Sequence, residues 1–368
     1  MIYLDYQATT PVAPEVAHAM RPWAETQFAN PHSPSRWGRE AAAAVEVARG
    51  QVARQFPLGT LAFTSGATEA LNWALKGVFE SSHRRKLVTV ATEHAAVLDT
   101  AKWLEGQGAE VVRLPVGGDG LIDLGQAEQA VDERTAMVAV MLVNNEVGVI
   151  QPVEEVTRIA RQRGAVMLCD AVQGFGRLEM PDADMIAISA HKIHGPKGIG
   201  ALWVRDGMPP PAPLLHGGGQ EQGLRSGTLS PALCVGFGTA AKLASERAAA
   251  DMHHVQRLFE AALGVLSPGW VINGSSEVRY LGNLNIRRDG LDAARLVAEL
   301  RDVAFSLGSA CASGSGRPSH VLRALGLSDR EARSSIRLGF GRYTSEADLI
   351  DAVRRIDAAA RAQASFAA

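Results

Sequence analysis

Between about residue 40 and residue 205 the chain alternates short apolar runs with longer segments of helical period, and this alternation restricts its fold more than any other feature. The runs "LAFT" (61–64), "KLVTVA" (86–91), "AEVVRL" (109–114), "AMVAVMLV" (136–143), "AVMLCD" (165–170), "DMIAIS" (184–189) and "GALWV" (200–204) predict strands. Between several of them, "ATEALNWALKGVFE", "AAVLDTAKWLEGQG" and "PVEEVTRIARQRG" carry apolar residues at three-to-four spacing, and two end in Gly, which predicts helices. Repeated strand–helix–strand units imply an α/β fold with a mostly parallel sheet covered by helices on both faces. Ligands on such sheets bind beyond the carboxyl ends of the strands.

Past residue 205 the pattern changes. "DGMPPPAPLLHGGGQEQGLRSGT" is rich in Pro and Gly, and an Ala-rich helical stretch follows from about Pro231 to Leu263. The remainder predicts a smaller α/β unit, with strands near 280–286 and 335–340 and helices near 292–301 and 345–363. A length of 368 residues suits two such units. With 46% hydrophobic residues, 21% charged and a net charge of -2, the chain has no electrostatic case for nucleic acid or an anionic membrane. The opening "MIYLDYQATTPVAPE" has neither a basic n-region nor an apolar h-region, and the apolar runs are too short to span a bilayer, so a cytoplasmic enzyme of small-molecule chemistry is expected.

Three cysteines without CxxC spacing argue against a disulfide framework or a structural metal site. Cys169 and Cys234 lie in apolar surroundings and read as packing residues, whereas Cys311 sits in the Gly/Ser-rich stretch "FSLGSACASGSGRPSHVL".

Polar residues collect at the strand ends. "SGATEA" places Ser65, Gly66, Ala67 and Thr68 at a helix start, where free amides and hydroxyls suit a phosphate. "TEHAAV" brings His94 to the next helix start, positioned to stack on an aromatic ligand, and "NNEVG" puts two amides and a carboxylate after a strand. Asp170 ends an otherwise apolar strand and asks for a cation, since buried carboxylates are costly unpaired. In "AISAHKIHGPKGIG", Ser189, His191 and Lys192 follow another apolar strand, and Lys192 rather than Lys197 is the desolvated amine suited to Schiff-base chemistry. Together these are the parts that hold pyridoxal 5'-phosphate.

Nine segments, "YLDYQATTPV", "FTSGATEALN", "TEHAAVLDT", "VNNEVGVIQ", "CDAVQ", "HKIHGPKGIGAL", "GGGQEQGLRSGT", "GSACASGS" and "SSIRLGFGR", give the chain a resemblance to cysteine desulfurases of the class V aminotransferase group. The likeness covers nearly the whole chain, and the loop followed by "PSHVLRALGL" is similar to the branch serving iron-sulfur cluster assembly and nitrogen fixation. It implies a fold type I pyridoxal phosphate enzyme, with a large cofactor-binding domain over 15–250. A small domain from 1–14 and 251–368 would carry the cysteine loop at 305–318.

By the same resemblance, Lys192 holds the cofactor covalently, Asp170 pairs with its ring nitrogen, Gln173 bonds its ring hydroxyl, and His94 stacks on the ring and moves protons. Ala67, Thr68, Ser189 and His191 match the phosphate-binding positions. Thr228 matches one supplied by a second subunit, which implies a homodimer. Asn145 and Arg337 match groups near the substrate carboxylate, and Cys311 matches the nucleophile that takes sulfur from L-cysteine as a persulfide, leaving L-alanine, for delivery to an acceptor protein. A hinge-like Gly/Ser loop would let that thiol reach both the buried site and the acceptor.

Two departures stand out. "GRPS" brings Arg317 where an acid is expected, and the chain stops soon after its last predicted helix, at "ARAQASFAA", whereas members that hand sulfur to a cluster scaffold often carry a longer tail. Neighbouring readings are a selenocysteine lyase or an aminotransferase on the same scaffold, or a sulfur-carrier partner with little activity alone. A nicotinamide enzyme lacks support because no GxGxxG follows the first strand candidate.

Overall fold

The computed structural model describes residues 1–307 and 318–366. After a two-residue strand β1 (Ile2–Tyr3), helices α1 (Pro14–Glu25) and α2 (Arg36–Ala53) lead into the alternating region. This comprises β2 (Gly59–Thr64), α3 (Ala67–Ser81), β3 (Lys86–Val90), α4 (Ala95–Glu105), β4 (Glu110–Leu114), α5 (Leu124–Ala130), β5 (Thr135–Met141), α6 (Val153–Gln162), β6 (Val166–Asp170), β7 (Met185–Ser189) and β8 (Gly200–Arg205). The seven strands β2 to β8 form one sheet in the order β2-β8-β7-β6-β5-β3-β4. Strand β8 runs against both its neighbours, and the other pairs are parallel.

The continuous apolar runs hide an alternation that the sheet reveals. Val138 and Val140 of β5 join Val45, Val156 and Phe237 in one core, whereas Met137 and Ala139 join Leu71, Trp73, Val97 and Ala101 in another. Successive side chains leave a strand on opposite faces, so a strand covered on both sides is apolar throughout.

Helix α7 (Pro231–Val265) starts at a Ser230 cap with Pro at its first position, and its 35 residues span about 52 Å. Cys234, Phe237 and Ala241 belong to the core of the large sheet, while Val255, Leu258 and Phe259 belong to another core. That second core lies under β9 (Trp270–Ile272), β10 (Asn283–Arg288), α8 (Ala293–Glu299), β11 (Val303–Ala304), β12 (Ser335–Gly339) and α11 (Glu346–Phe366), whereas α9 (His320–Ala324) and α10 (Asp329–Arg333) pack on a further core with Val147 and Val149. Strands β12, β10 and β9 form an antiparallel sheet, and β1 pairs in parallel with β11, which carries the amino terminus to this core, where Leu4 is buried.

Some boundaries differ from the sequence reading. The strand expected near 280–286 begins at Asn283, because Tyr280 to Gly282 form a turn closed by the Asn283 amide on the Tyr280 carbonyl at 3.2 Å. Cys169 and Cys234 are buried as expected; burial pushes both thiols up, that of Cys234 to about 12. Cys311 lies outside the described residues.

Candidate active site

The carboxyl end of β7 sets the site. Ser189 closes the strand, a single tight turn over Ala190–Lys192 follows, and His194 then adopts a left-handed backbone (φ 66°) that a residue with a Cβ takes up only when its neighbours enforce it. The amino-terminal segment enforces it. Thr10 Oγ1 accepts from the His194 amide at 2.8 Å, Thr10 donates through both its amide and its hydroxyl to the His191 carbonyl, and the Ala13 amide donates to the His194 carbonyl. The turn so fixed aims Lys192 at the same segment, with Nζ 2.5 Å from the Gln7 carbonyl and 2.8 Å from that of Ala8. Burial, with the Arg177 and Arg337 charges, pulls the Lys192 amine down to about 7, against the opposing pull of Asp170 and Asp5. An amine so held has an available lone pair near neutrality.

Asp170 ends β6, beside β7 in the sheet, and one of its oxygens accepts from the Val172 amide at 3.0 Å. Burial raises its carboxyl, while the His94 and Lys192 charges and that amide act to lower it. Both the lysine and the histidine therefore act on this carboxylate across one site. His94 caps α4 by accepting the Ala96 amide on Nδ1 at 3.1 Å, so the proton of the neutral ring sits on Nε2. Next to it, Glu93 is fully buried, with Oε1 accepting from the Met141 amide at 2.7 Å and Oε2 without a partner among the described residues. Burial and the Asp170 charge push the Glu93 carboxyl well up from the usual carboxylate range.

On the other side of β7, away from β6, the start of α3 comes close to β8. Gly200 pairs with Ser189 on one side and with Thr64 on the other, which draws the ends of β7 and β2 together. A Cβ at Gly200 would stand 2.5 Å from the Ile188 carbonyl oxygen and 2.8 Å from the Gly66 Cα, so only glycine permits the approach. Helix α3 begins there at Ala67 with no side-chain cap, which leaves the first-turn amides of Ala67 and Thr68 without intrahelical partners. His191 Nδ1 lies 3.1 Å from Thr9 Oγ1, and burial beside Lys192 pulls its imidazole down to about 4, so it is a neutral hydrogen-bonding group at pH 7.

Arg337, in the middle of β12, brings the second core to the site. It is 1% exposed; Nη1 donates to the Asn145 carbonyl at 2.9 Å, and Nη2 pairs with Asp5 Oδ1 at 2.7 Å. Asn145 and Arg337 are thus neighbours, although the contact uses the asparagine backbone. The Gln173 carboxamide is engaged on both sides, donating to the Gln7 carbonyl at 2.9 Å and accepting from Arg177 at 2.8 Å. Thr228 is exposed on the 224–230 loop.

The segments on either side of residues 308–317 are both tied to this site. Ser306 exchanges backbone hydrogen bonds with Arg337 at 3.2 and 2.7 Å. Across the gap, the Ser319 hydroxyl donates to the buried Glu146 carboxylate, and His320 Nε2 lies 3.0 Å from the Glu93 carbonyl. Asp5, Gln7, Ala8 and Glu93 were not singled out from the sequence. Glu93 carries the signal that marked Asp170, a carboxyl just past an apolar strand. Gln7 and Ala8 act through backbone carbonyls, which no residue type announces.

The donor set fits pyridoxal 5'-phosphate: an amine whose proton affinity is lowered to near neutrality, a buried carboxylate with no ion pair among the described residues, an imidazole beside them, and an open helix start for the phosphate. Comparison with known proteins agrees. The family model "Aminotransferase class-V" matches residues 2–353. A cysteine desulfurase IscS of Rickettsia bellii is 44% identical over 370 residues, covering 96% of this chain and 90% of that protein. Among solved structures, a NifS-like protein superposes with TM-score 0.90 at 34% identity, covering 97% of this chain and 98% of the other. A structure described as SspA in complex with cysteine gives TM-score 0.84 at 35% identity, covering 94% of this chain and 100% of the other. The chain belongs to the class-V aminotransferase family, among its cysteine desulfurases.

Proposed function

We propose that the protein converts L-cysteine to L-alanine with pyridoxal 5'-phosphate and takes the sulfur onto Cys311 as a persulfide. The observation that carries this reading is the tethering of both flanks of Cys311 to the site, at Ser306 on Arg337 and at Ser319 on Glu146. From Ser306 the chain to Cys311 reaches at most about 18 Å. The sulfur balance is closed: the carbon–sulfur bond of cysteine breaks, a sulfur–sulfur bond forms on the Cys311 thiolate, and the hydrogen of the substrate thiol ends on the methyl carbon of alanine.

Lys192 would hold the cofactor through its amine, Asp170 its ring nitrogen, and Ala67, Thr68, Ser189 and His191 its phosphate. When bound, the cofactor supplies an electron sink for negative charge at the amino-bearing carbon. Lys192 Nζ, with its affinity for protons poised near neutrality, gives and takes a proton there, and His94 Nε2 faces the same space as a second proton carrier. Arg337 and Asn145 orient the substrate carboxylate. Gln173, tied to Gln7 and Arg177, keeps a second amide hydrogen that would bond the ring hydroxyl.

Thr228 from a second copy of the chain would complete the phosphate site in a homodimer. The exposure of Thr228, and the apolar surface that Phe28 and Trp37 expose, supports a partner subunit. The sharing of α7 between two cores supports a large unit over 15–250 and a small one from 1–14 and 251–368. Among the described residues no helix is long and apolar enough to cross a membrane. A cytoplasmic protein handing its sulfur to an acceptor, as in iron-sulfur cluster assembly, is the setting this reading supports.

Intact-mass measurement after L-cysteine without reductant tests the proposal: the protein gains one sulfur atom, and peptide mapping finds it on Cys311. A sulfur-free protein that still produces alanine would overturn it.

A further inference from the structure

Arg337 is a buried cation whose charge is already answered inside the protein. Its Nη2 pairs with Asp5 Oδ1 at 2.7 Å, its Nη1 donates to the Asn145 carbonyl at 2.9 Å, and its Nε is buried without a partner among the described residues. Asp5 is held rigidly in this position. Its carbonyl accepts from the Ala8 amide at 2.9 Å and the Tyr3 hydroxyl at 3.2 Å, and the chain on either side is strapped to β12, with the Gly339 amide on the Leu4 carbonyl at 2.7 Å and the Tyr6 amide on the Gly339 carbonyl at 3.2 Å. The strap therefore carries its carboxylate to the same strand that carries the arginine.

The pairing has a consequence for which carboxylates enter. A lone guanidinium in a site of low dielectric attracts any small anion, because opposite charges interact strongly there. A guanidinium already paired with a carboxylate is neutral overall, so a second carboxylate gains little from it and adds net negative charge beside Asp5. An α-amino acid brings a carboxylate together with an ammonium and so adds no net charge.

We propose that Asp5 is a specificity-determining residue, which keeps Arg337 in a neutral pair that admits α-amino acids and rejects carboxylates lacking the amino group. The proposal deepens the reading of Arg337 as the carboxylate-binding group and rests on it. Discrimination of this kind works by making the wrong ligand unfavourable rather than the right one tighter.

The test uses the cofactor-loaded protein and two probes with the same carbon skeleton, L-alanine and propionate, with binding measured by calorimetry. In Asp5→Asn, propionate is expected to bind at least about tenfold more tightly, while L-alanine changes by less than about threefold. Unchanged propionate affinity, or parallel shifts for both probes, would overturn the proposal. Arg337→Gln separates the two levels: weaker binding of both probes supports the underlying carboxylate site, and unchanged binding of both overturns that reading together with the role of Asp5. Should Asp5→Asn fail to retain the cofactor's absorbance, Asp5→Ser removes the same charge, and the same selective gain for propionate is required of it.

Discussion

The amine of Lys192 lies 2.5 Å from the carbonyl oxygen of Gln7, a residue 185 positions away in the chain. This contact joins the carboxyl end of β7 to the amino-terminal strap, and Asp5 in that strap holds Arg337 of the second core. One short segment thus touches Lys192, the turn that aims it and Arg337.

Replacement of the anchor gives the simplest test. Lys192→Ala is expected to remove the covalently bound cofactor and its visible absorbance, because Lys192 is the lysine whose charge acts on Asp170. An unchanged spectrum after exhaustive dialysis would refute the assignment.

The lowered proton affinity of Lys192 has a stability consequence in the cofactor-free protein. Below about pH 7 the buried amine is charged in both folded and unfolded states, and its burial is destabilising; as pH rises from about 7 towards the ordinary lysine value of 10.5, only the unfolded chain stays protonated. The stability contributed by this group therefore rises with pH over that window. Lys192→Met is expected to stabilise the cofactor-free protein at pH 6 by an amount on the order of a few kcal/mol, with a smaller gain at pH 9. Denaturant unfolding at the two pH values reads this difference, and a gain that grows with pH would contradict it.

Asp170→Asn removes the ionisable partner expected at the cofactor ring nitrogen while keeping its size. Turnover is expected to fall by about 100-fold or more, with the visible absorbance retained. Wild-type turnover in this variant would mean that the carboxylate serves only to pack β6 against its neighbours.

Away from the site, Glu221 is a buried carboxylate bound by Arg49 through two nitrogens at 2.7 Å and by the Phe63 amide at 2.7 Å. Glu221→Ala leaves the Arg49 guanidinium with the more exposed Glu46 and the Leu61 carbonyl, and removes the acceptor of the Phe63 amide. A loss of about 3–5 kcal/mol in denaturant unfolding is expected, against near-neutral effects for exposed pairs such as Arg36–Glu40.

What the sequence disclosed follows from how local its signals are. The run containing β5 reads as a buried strand because every residue from Thr135 to Met141 is buried on one face or the other. Asp170 and Lys192 stood out because a charged group directly after such a run needs a reason to be there. The two-residue strands β1 and β11 carried no local signal, since each exists only through pairing with the other. Helix α1 was missed for a related reason: Val16 is its only buried residue, too few to set up a visible period. Asp5 was invisible as a site residue because its partner Arg337 comes from the far end of the chain, and Gln173 kept its place beside the site while its amide turned to Gln7 and Arg177.

The central claim is that this site releases sulfur from cysteine, and the most direct measurement is a paired assay of the purified, cofactor-loaded protein. With L-cysteine and a reductant, sulfide and L-alanine are expected in equal amounts, and Cys311→Ser is expected to keep the bound cofactor while releasing no sulfide. Alanine without sulfide, a keto acid in place of alanine, or normal sulfide release from Cys311→Ser would contradict the account.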